Sequence, residues 1–303
     1  INNCISFLSR QDYKKYFFES LASAVIVDEN YVLPNDKKTV IRVKNPALGF
    51  VKTINLFFPS KTIIGKIHPL AVVHTSVKKG KNINISPMAV IDKDVEIGDD
   101  VFIGAGVYIG EGSKIGSKTK IDANVTIREN VIIGNNVNIN SGTVIGSDGF
   151  GIIKDGEEQH QFPHLGSVKI GNDVMIGANC SIDRGTIGNT IIGEQSKLDN
   201  QIQIAHNVKI GRGCIIASQV GIAGSSILGD FVTIAGQVGV VSHIKIGDGS
   251  TIASKSAVMQ EVGPNSLVSG IPAQNHKNNL RQVIALKKLP NLLKKLRDYK
   301  LGK

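Results

Sequence analysis

The stretch "VEIGDDVFIGAGVYIGEGSKIG", residues 95–116, repeats with a period of six. Ile97, Ile103, Ile109 and Ile115 recur at one place in the unit, each followed by Gly98, Gly104, Gly110 or Gly116. Val95, Val101 and Val107 stand two residues ahead. Six residues fit neither the 3.6-residue turn of an α-helix nor the alternation of a simple strand. They fit a parallel β-helix, in which each hexad gives one short strand and one corner. The aliphatic residue points inward and stacks on its equivalent in the next coil, contributing about 1.5–3 kcal/mol on burial.

The same series extends from Ile67 to Ile145, broken only at Lys79. It resumes at Ile170, Ile176 and Ile182, and runs unbroken from Ile192 to Val258. At three hexads per coil and about 4.8 Å per strand, about ten coils make a prism about 45–50 Å long. Two interruptions leave the register. The first, between Ile145 and Ile170, is rich in glycine and charge and contains Pro163, His160 and His164. The second, "DRGTIGNT", adds four residues between Ile182 and Ile192. Insertions in a solenoid project as loops from one face, often the functional one.

The flanks read differently. Residues 1–60 form a small α/β domain: "QDYKKYFFESL" is helical, and "ASAVIV" and "TVIRV" are strands. "NPALGFVKTINLFF" is a helix with Asn45 as N-cap and Pro46 at its first position. Residues 61–263 are the β-helix, and residues 264–303 a basic helical extension that Pro290 should break or kink.

Composition narrows the function. The net charge is +10, but His276–Lys303 carries nine Lys or Arg against Asp298 alone, so the rest of the chain is nearly balanced. No base-reading motif accompanies that charge, which argues against nucleic acid. No run of about 20 apolar residues is present to span a membrane, and the first residues carry no signal-peptide pattern. Cys4, Cys180 and Cys214 are too few and too scattered for a disulfide framework or a metal site. They read as small inert residues of a reducing cytoplasm.

The polar run "KLDNQIQIAHNVKIG", residues 197–211, stands out from the aliphatic repeat. His206 lies two residues after the inward Ile204, an offset that puts it outside the prism wall. Imidazole is a side chain that can both take up and release a proton, which suits general-base work.

The ordered set "GSDGFG", "IDRG", "LDNQIQIAHNV" and "GIAGS", behind a small α/β domain, resembles the UDP-3-O-acylglucosamine N-acyltransferases of lipid A biosynthesis. The resemblance covers nearly the whole chain. It implies a left-handed β-helix and a cytoplasmic homotrimer with sites between subunits. It also implies a 3-hydroxyacyl donor on acyl carrier protein and a UDP-3-O-(3-hydroxyacyl)glucosamine acceptor, with no cofactor and no metal. His206 matches the family's catalytic histidine and Gly224 its oxyanion glycine. His243 matches a supporting histidine. Asp199 and Asn200 are expected to hold the sugar or orient His206, with Gln203 beside them. The family's uracil motif, Phe-x-x-Asn-x-x-Tyr, is "FLSRQDY" here. Phe7 and Tyr13 keep the rings, and Arg10 replaces the asparagine. The family's N-terminal domain begins earlier than Ile1, so part of the uridine-binding domain is expected to lie outside this chain.

Three rivals remain open on the sequence alone. The related UDP-sugar O-acyltransferase normally lacks the front α/β domain. A β-helix carbonic anhydrase needs three histidine ligands. A purely structural prism would not need the polar run. The basic tail fits either an acidic carrier protein or anionic lipid.

Overall fold

The computed structural model describes residues 4–32, 39–59 and 65–300, and the chain divides into two compact units, Ile1–Thr62 and Ile63–Lys303. The first unit is a three-stranded parallel sheet in the order β1 (Ile5–Phe7), β2 (Ala24–Asp28), β3 (Thr39–Val43). Helix α1 (Lys14–Glu19) follows β1, and α2 (Pro46–Phe57) follows β3. Leu8, Phe17, Val25, Val27 and Tyr31 form its core. The start of α2 is set locally. Asn45 Oδ1 accepts a hydrogen bond from Leu48 N at 3.1 Å, and Pro46 occupies the first turn.

The second unit is the parallel β-helix, built on three ladders. Face one contains 12 strands, starting at Lys66–Ile67. Face two contains 10, from Val72–Val73 to Ala257–Val258, and face three 9, from Lys78–Lys79 to Lys245–Ile246. Registers stack like on like, as in Ile85, Ile103, Ile121 and Ile139 along face one. These inward side chains are sealed: Ile103, Ile121 and Ile139 are fully buried. The ladder continues past residue 263. Thr251–Ile252 pairs with Leu267–Val268, so the prism extends beyond the expected boundary.

Two devices recur at the coil level. Most corners place one residue in the left-handed region, and positive φ returns every six residues from Asn82 to Gly142, mostly at Asn, Asp or Gly. Inside, small hydroxyls tie neighbouring coils together. Thr119 Oγ1 donates to Gly134 O at 3.0 Å and accepts from Val137 N at 3.2 Å. Ser196 does the same with Gly211 O and Cys214 N. Cys180 and Cys214 are buried and free, and burial pushes both thiols up, so neither is a ready nucleophile.

Helix α3 (His276–Lys300) runs through Pro290 rather than ending there. Residues around it are exposed, so the Leu286 carbonyl that loses its backbone donor can bond water. Asn275 Oδ1 caps the start, accepting from Lys277 N at 3.1 Å. Leu280, Ile284, Leu289, Leu292, Leu293 and Leu296 stay between 41% and 55% exposed in the single chain. The side chains of residues 298–300, Lys300 among them, lie outside the described residues.

The hydroxyl ties make a direct prediction. Thr119→Val preserves shape but strands the Gly134 carbonyl and the Val137 N–H, so it should destabilise the prism by about 1–3 kcal/mol. Urea unfolding of the variant checks this. An unchanged midpoint would show that the tie adds nothing to apolar stacking.

Candidate active site

The corner between faces two and three carries the site. His206 follows the strand Gln203–Ile204 and precedes Asn207, which takes the left-handed corner at φ 59°. The imidazole is half-buried, outside the wall. Its Nδ1 lies 3.2 Å from Asn207 Oδ1 and 3.3 Å from Thr186 Oγ1. Asn207 has a fixed orientation. Its Oδ1 accepts from Thr186 N at 2.9 Å, and its Nδ2 donates to Ile187 O at 2.8 Å. An oxygen therefore faces Nδ1, so Nδ1 carries the proton and Nε2 keeps the lone pair. Asn207 and Thr186 both escaped the sequence reading, since nothing about a corner asparagine marks it as an orienter.

Two glycines clamp the ring. A β-carbon on Gly224, one coil later, would lie 2.6 Å from His206 Nε2. A β-carbon on Gly149, in the first interruption, would lie 2.9 Å from His206 Cβ and 3.0 Å from Cδ2. Both close approaches require glycine. The Gly224 N–H has no partner among the described residues, so a donor stands free beside the basic nitrogen.

The interruptions fold back onto this corner. Leu165 N bonds Thr186 O and Gly166 N bonds Gly185 O, each at 2.9 Å. His164 thereby packs edge-on against His206, with ring centroids 5.4 Å apart. Earlier in the first interruption, Ile152–Asp155 and Glu158–Gln161 form an antiparallel hairpin that carries the exposed His160, next to Glu158. Beneath lies Asp183, buried, accepting from Ser147 Oγ and Gln203 Nε2 at 2.9 Å each. Burial pushes the Asp183 carboxyl up, against the pull of those two bonds and of the His206 and His164 imidazoles. Arg184 locks the first loop. Its Nε donates to Gly146 O at 2.8 Å, and its Nη1 pairs with Glu129 at 2.8 Å. Burial works to raise Glu129, but its own backbone N–H, Arg128 and Arg184 overcome it and hold the carboxyl at about 2. Asp183 and Arg184 belong to the "IDRG" stretch, noticed in the sequence but given no task there.

The expected site residues do not all meet. Gln203 joins the site through Asp183. Asp199 and Asn200 do not reach His206 within the chain. They occupy the other corner, between faces one and two. There Asn200 Oδ1 accepts from Ala178 N at 2.7 Å and Nδ2 donates to Asp199 Oδ1 at 2.9 Å. Their expected role in orienting His206 is replaced by Asn207 and Thr186. His243 lies in the left-handed corner two coils above, exposed, its N–H bonded to Gly224 O.

From His206's coil an apolar groove of about 490 Å³ runs up face two, lined by Ala205, Ala223, Val241 and Met259 among others. Its floor is nearly free of side chains beyond Gln203, because Gly221, Gly239 and Ala257 stack in register above it. In the first unit, Phe7 and Tyr13 line one cavity of about 280 Å³ with Tyr16 and Phe17. Phe7 is 39% exposed but stacks on Phe50 at 4.6 Å, so one ring face is taken. Arg10 pairs with Asp12 at 3.1 Å and lies 5.7 Å from the Tyr13 ring. Among the described residues no cluster of three or more His, Cys, Asp or Glu is placed to hold a metal ion, and no helix is long and apolar enough to cross a membrane.

The profile of UDP-3-O-(3-hydroxymyristoyl) glucosamine N-acyltransferase, LpxD, matches residues 2–56. The bacterial transferase hexapeptide profile matches residues 112–147 and 189–224. The UDP-3-O-acylglucosamine N-acyltransferase of Syntrophus aciditrophicus is 50% identical over 98% of this chain and 82% of its own length. That of Coxiella burnetii is 42% identical over 70% of this chain, which spans 62% of that relative. Among solved structures, the UDP-N-acetylglucosamine O-acyltransferase of Moraxella catarrhalis has a TM-score of 0.59 at 33% identity, covering 65% of this chain and 77% of that one. The Arabidopsis UDP-N-acetylglucosamine acyltransferase has a TM-score of 0.63 at 25% identity, covering 72% and 76%. The β-helix is left-handed, as in these neighbours. With half of its residues shared with the Syntrophus protein along nearly its entire length, the chain belongs to the family of UDP-3-O-acylglucosamine N-acyltransferases.

Proposed function

We propose that this protein transfers a 3-hydroxyacyl chain from acyl carrier protein to the 2-amino group of UDP-3-O-(3-hydroxyacyl)glucosamine. The observation that carries the reading is the pairing of a base nitrogen, His206 Nε2, with the free N–H of Gly224 at the mouth of an apolar groove. The acyl chain lies in the groove and presents its thioester at the corner. The amine attacks the carbonyl carbon as His206 Nε2 takes its proton. The Gly224 N–H receives the oxyanion, a donor whose loss typically costs about 2.7–4 kcal/mol. Collapse expels the carrier's thiolate, which leaves with the proton His206 held. Neither Cys180 nor Cys214 serves as nucleophile, since both are buried with thiols pushed up.

The neutral amide behind Nδ1 favours an amine over the hydroxyl of the O-acyltransferase alternative. A carboxylate hydrogen-bonded to Nδ1 would stabilise the imidazolium strongly; the Asn207 amide in that place is neutral, and the Asp183 carboxyl acts only without a hydrogen bond to the ring. An amine attacks with its own lone pair and gives up its proton easily once the bond forms, so a weak base suffices. Phe150, Leu165 and Ile187, all nearly fully exposed around the corner, give an apolar rim suited to an acceptor that already bears an acyl chain.

Face two supports a homotrimer. From Val72 to Ala257, the outward residue that precedes each inward one is uncharged. Face three instead presents Lys78, Lys114, Lys169, Lys209 and Lys245. Copies packed through the uncharged face would bring a partner's corner toward His206, which leaves Asp199 and Asn200 available to hold the sugar. His243 then supports the diphosphate or carrier arm. Phe7 and Tyr13 flank uracil, and the chain works in the cytoplasm without cofactor or metal.

Three outcomes follow. His206→Ala should remove most turnover, about 10²–10⁴-fold, while the prism still assembles; acyl transfer to amine and hydroxyl acceptors measures the first point, and Tm with sedimentation the second. Near-normal turnover would sink the assignment, and a preference for the hydroxyl would favour the O-acyltransferase. Replacing Phe7 and Tyr13 with Ala should raise KM for the UDP-sugar more than it lowers kcat, by about 1–3 kcal/mol of lost stacking per ring. An unchanged KM would give the first unit another task.

The basic helix α3 fits an acidic carrier protein that must dock and leave each cycle. Complementary charge speeds such encounters, and salt screens it over about 10 Å at 0.1 M. Reversing Lys287, Lys288, Lys294 and Lys295 to Glu should therefore lower kcat/KM for the carrier donor at low salt and spare KM for the UDP-sugar. Normal handling of the donor would turn attention to anionic lipid.

A further inference from the structure

His164 is the most costly side chain near the site. It is only 6% exposed, and both ring nitrogens are buried with no hydrogen-bond partner among the described residues. Each such atom forfeits the water it had in the unfolded chain. A phenylalanine would fill the same space without that cost, so shape alone does not account for an imidazole here. The ring sits edge-on to His206 and is held there by the backbone bonds of Leu165 and Gly166 to Thr186 and Gly185. What covers it toward the site is bare backbone: a β-carbon on Gly149 would lie 2.8 Å from His164 Nε2, and one on Gly151 3.4 Å from Cε1.

The position of His164 decides what it would meet. The coil of His206 lies between two chemically different neighbours. Later coils carry the apolar lane of Gly221 and Gly239. The earlier coil carries Ser181–Asp183, with Asp183 bonded to Ser147 and Gln203. The alkyl chain belongs on the first side. A polyol belongs on the second, where polar atoms gather.

We infer that His164 is a further substrate-contacting residue, whose imidazole hydrogen-bonds a hydroxyl of the acceptor sugar next to the reacting amine. The inference rests on the functional reading above. Access needs only that the Gly149–Gly151 backbone shift from the ring, and the gain is a partner for a nitrogen that otherwise has none. A site built this way also rejects sugars lacking the hydroxyl, because they leave the nitrogen stranded.

Binding without turnover tests it. Equilibrium binding of UDP-3-O-acylglucosamine and of UDP alone is measured without donor on the full-length protein, on His164→Phe and on His164→Gln, with Tm for each. His164→Phe should melt higher than wild type, because two unpartnered buried nitrogens are gone, yet bind the acceptor about tenfold more weakly. UDP should bind both alike. His164→Gln, which keeps a donor and an acceptor, should stay within about threefold of wild type. Equal acceptor binding by His164→Phe, or a lower Tm for that variant, overturns the inference alone. Wild-type protein that binds neither ligand overturns the functional reading and this inference with it.

Discussion

Every coil in this protein must turn three corners while keeping its backbone one strand spacing from the next coil. Close stacking leaves little room for a loose turn, so most corners pass through the left-handed region, which favours Gly, Asn and Asp. The rest follows from that constraint. The inward isoleucines stack because the corners return the chain to register. The interior hydroxyls of Thr119, Ser196 and their like reach the next coil's carbonyl because the spacing is fixed. Corner side chains project outward at regular places, and the site uses one of them: Asn207 turns the chain at φ 59° and holds the proton of His206 on Nδ1.

The repeat was plain in the sequence because stacking demands the same residue type every six positions. The inward series from Ile67 to Val258 reads directly onto the three faces. So does the Asn45–Pro46 helix start, which depends only on local chemistry. The continuous helix through Pro290 was less legible. A proline costs a helix most where the freed carbonyl is buried, and exposure is not written locally. The end of the prism was missed for a similar reason. Leu267–Ser269 joins face one without an isoleucine in phase.

The site was half legible. His206 and Gly224 stand out because a polar residue and a close-approach glycine interrupt an aliphatic lattice. Asp199 and Asn200 looked equally placed, being one hexad before, yet one hexad is a third of a turn and puts them on another corner. Proximity in a β-helix runs in steps of one coil, so Gly224, 18 residues away, is nearer to the imidazole than the polar pair 6 or 7 residues away. His164, Gly149 and Thr186 come from the two interruptions, where the register that makes the rest readable is suspended. Their position depends on the Arg184 tie to Gly146 and Glu129 and on backbone pairing of residues 165–166 with 185–186, none of which a period can reveal.

That division of labour has a physical logic. The lattice is rigid and supplies the fixed elements: a free N–H at Gly224, a base held by a corner amide, and a lane without side chains. A regular hexad seals its inward residue and leaves most of the others in contact with water, so burying a polar group outside the wall takes added cover. The interruptions provide a third environment. They lay backbone and the His164 ring over the corner, exclude water there and seat Asp183 where burial pushes its carboxyl up. Electrostatic effects strengthen once water leaves, so the loops supply the medium and the lattice the geometry. Arg184 then matters because it couples the two: it directly follows the lattice strand Ser181–Asp183, and its buried guanidinium binds the carbonyl of Gly146, three residues before the glycine that touches His206. A loop anchored in this way can cover the base and still present only glycine to it.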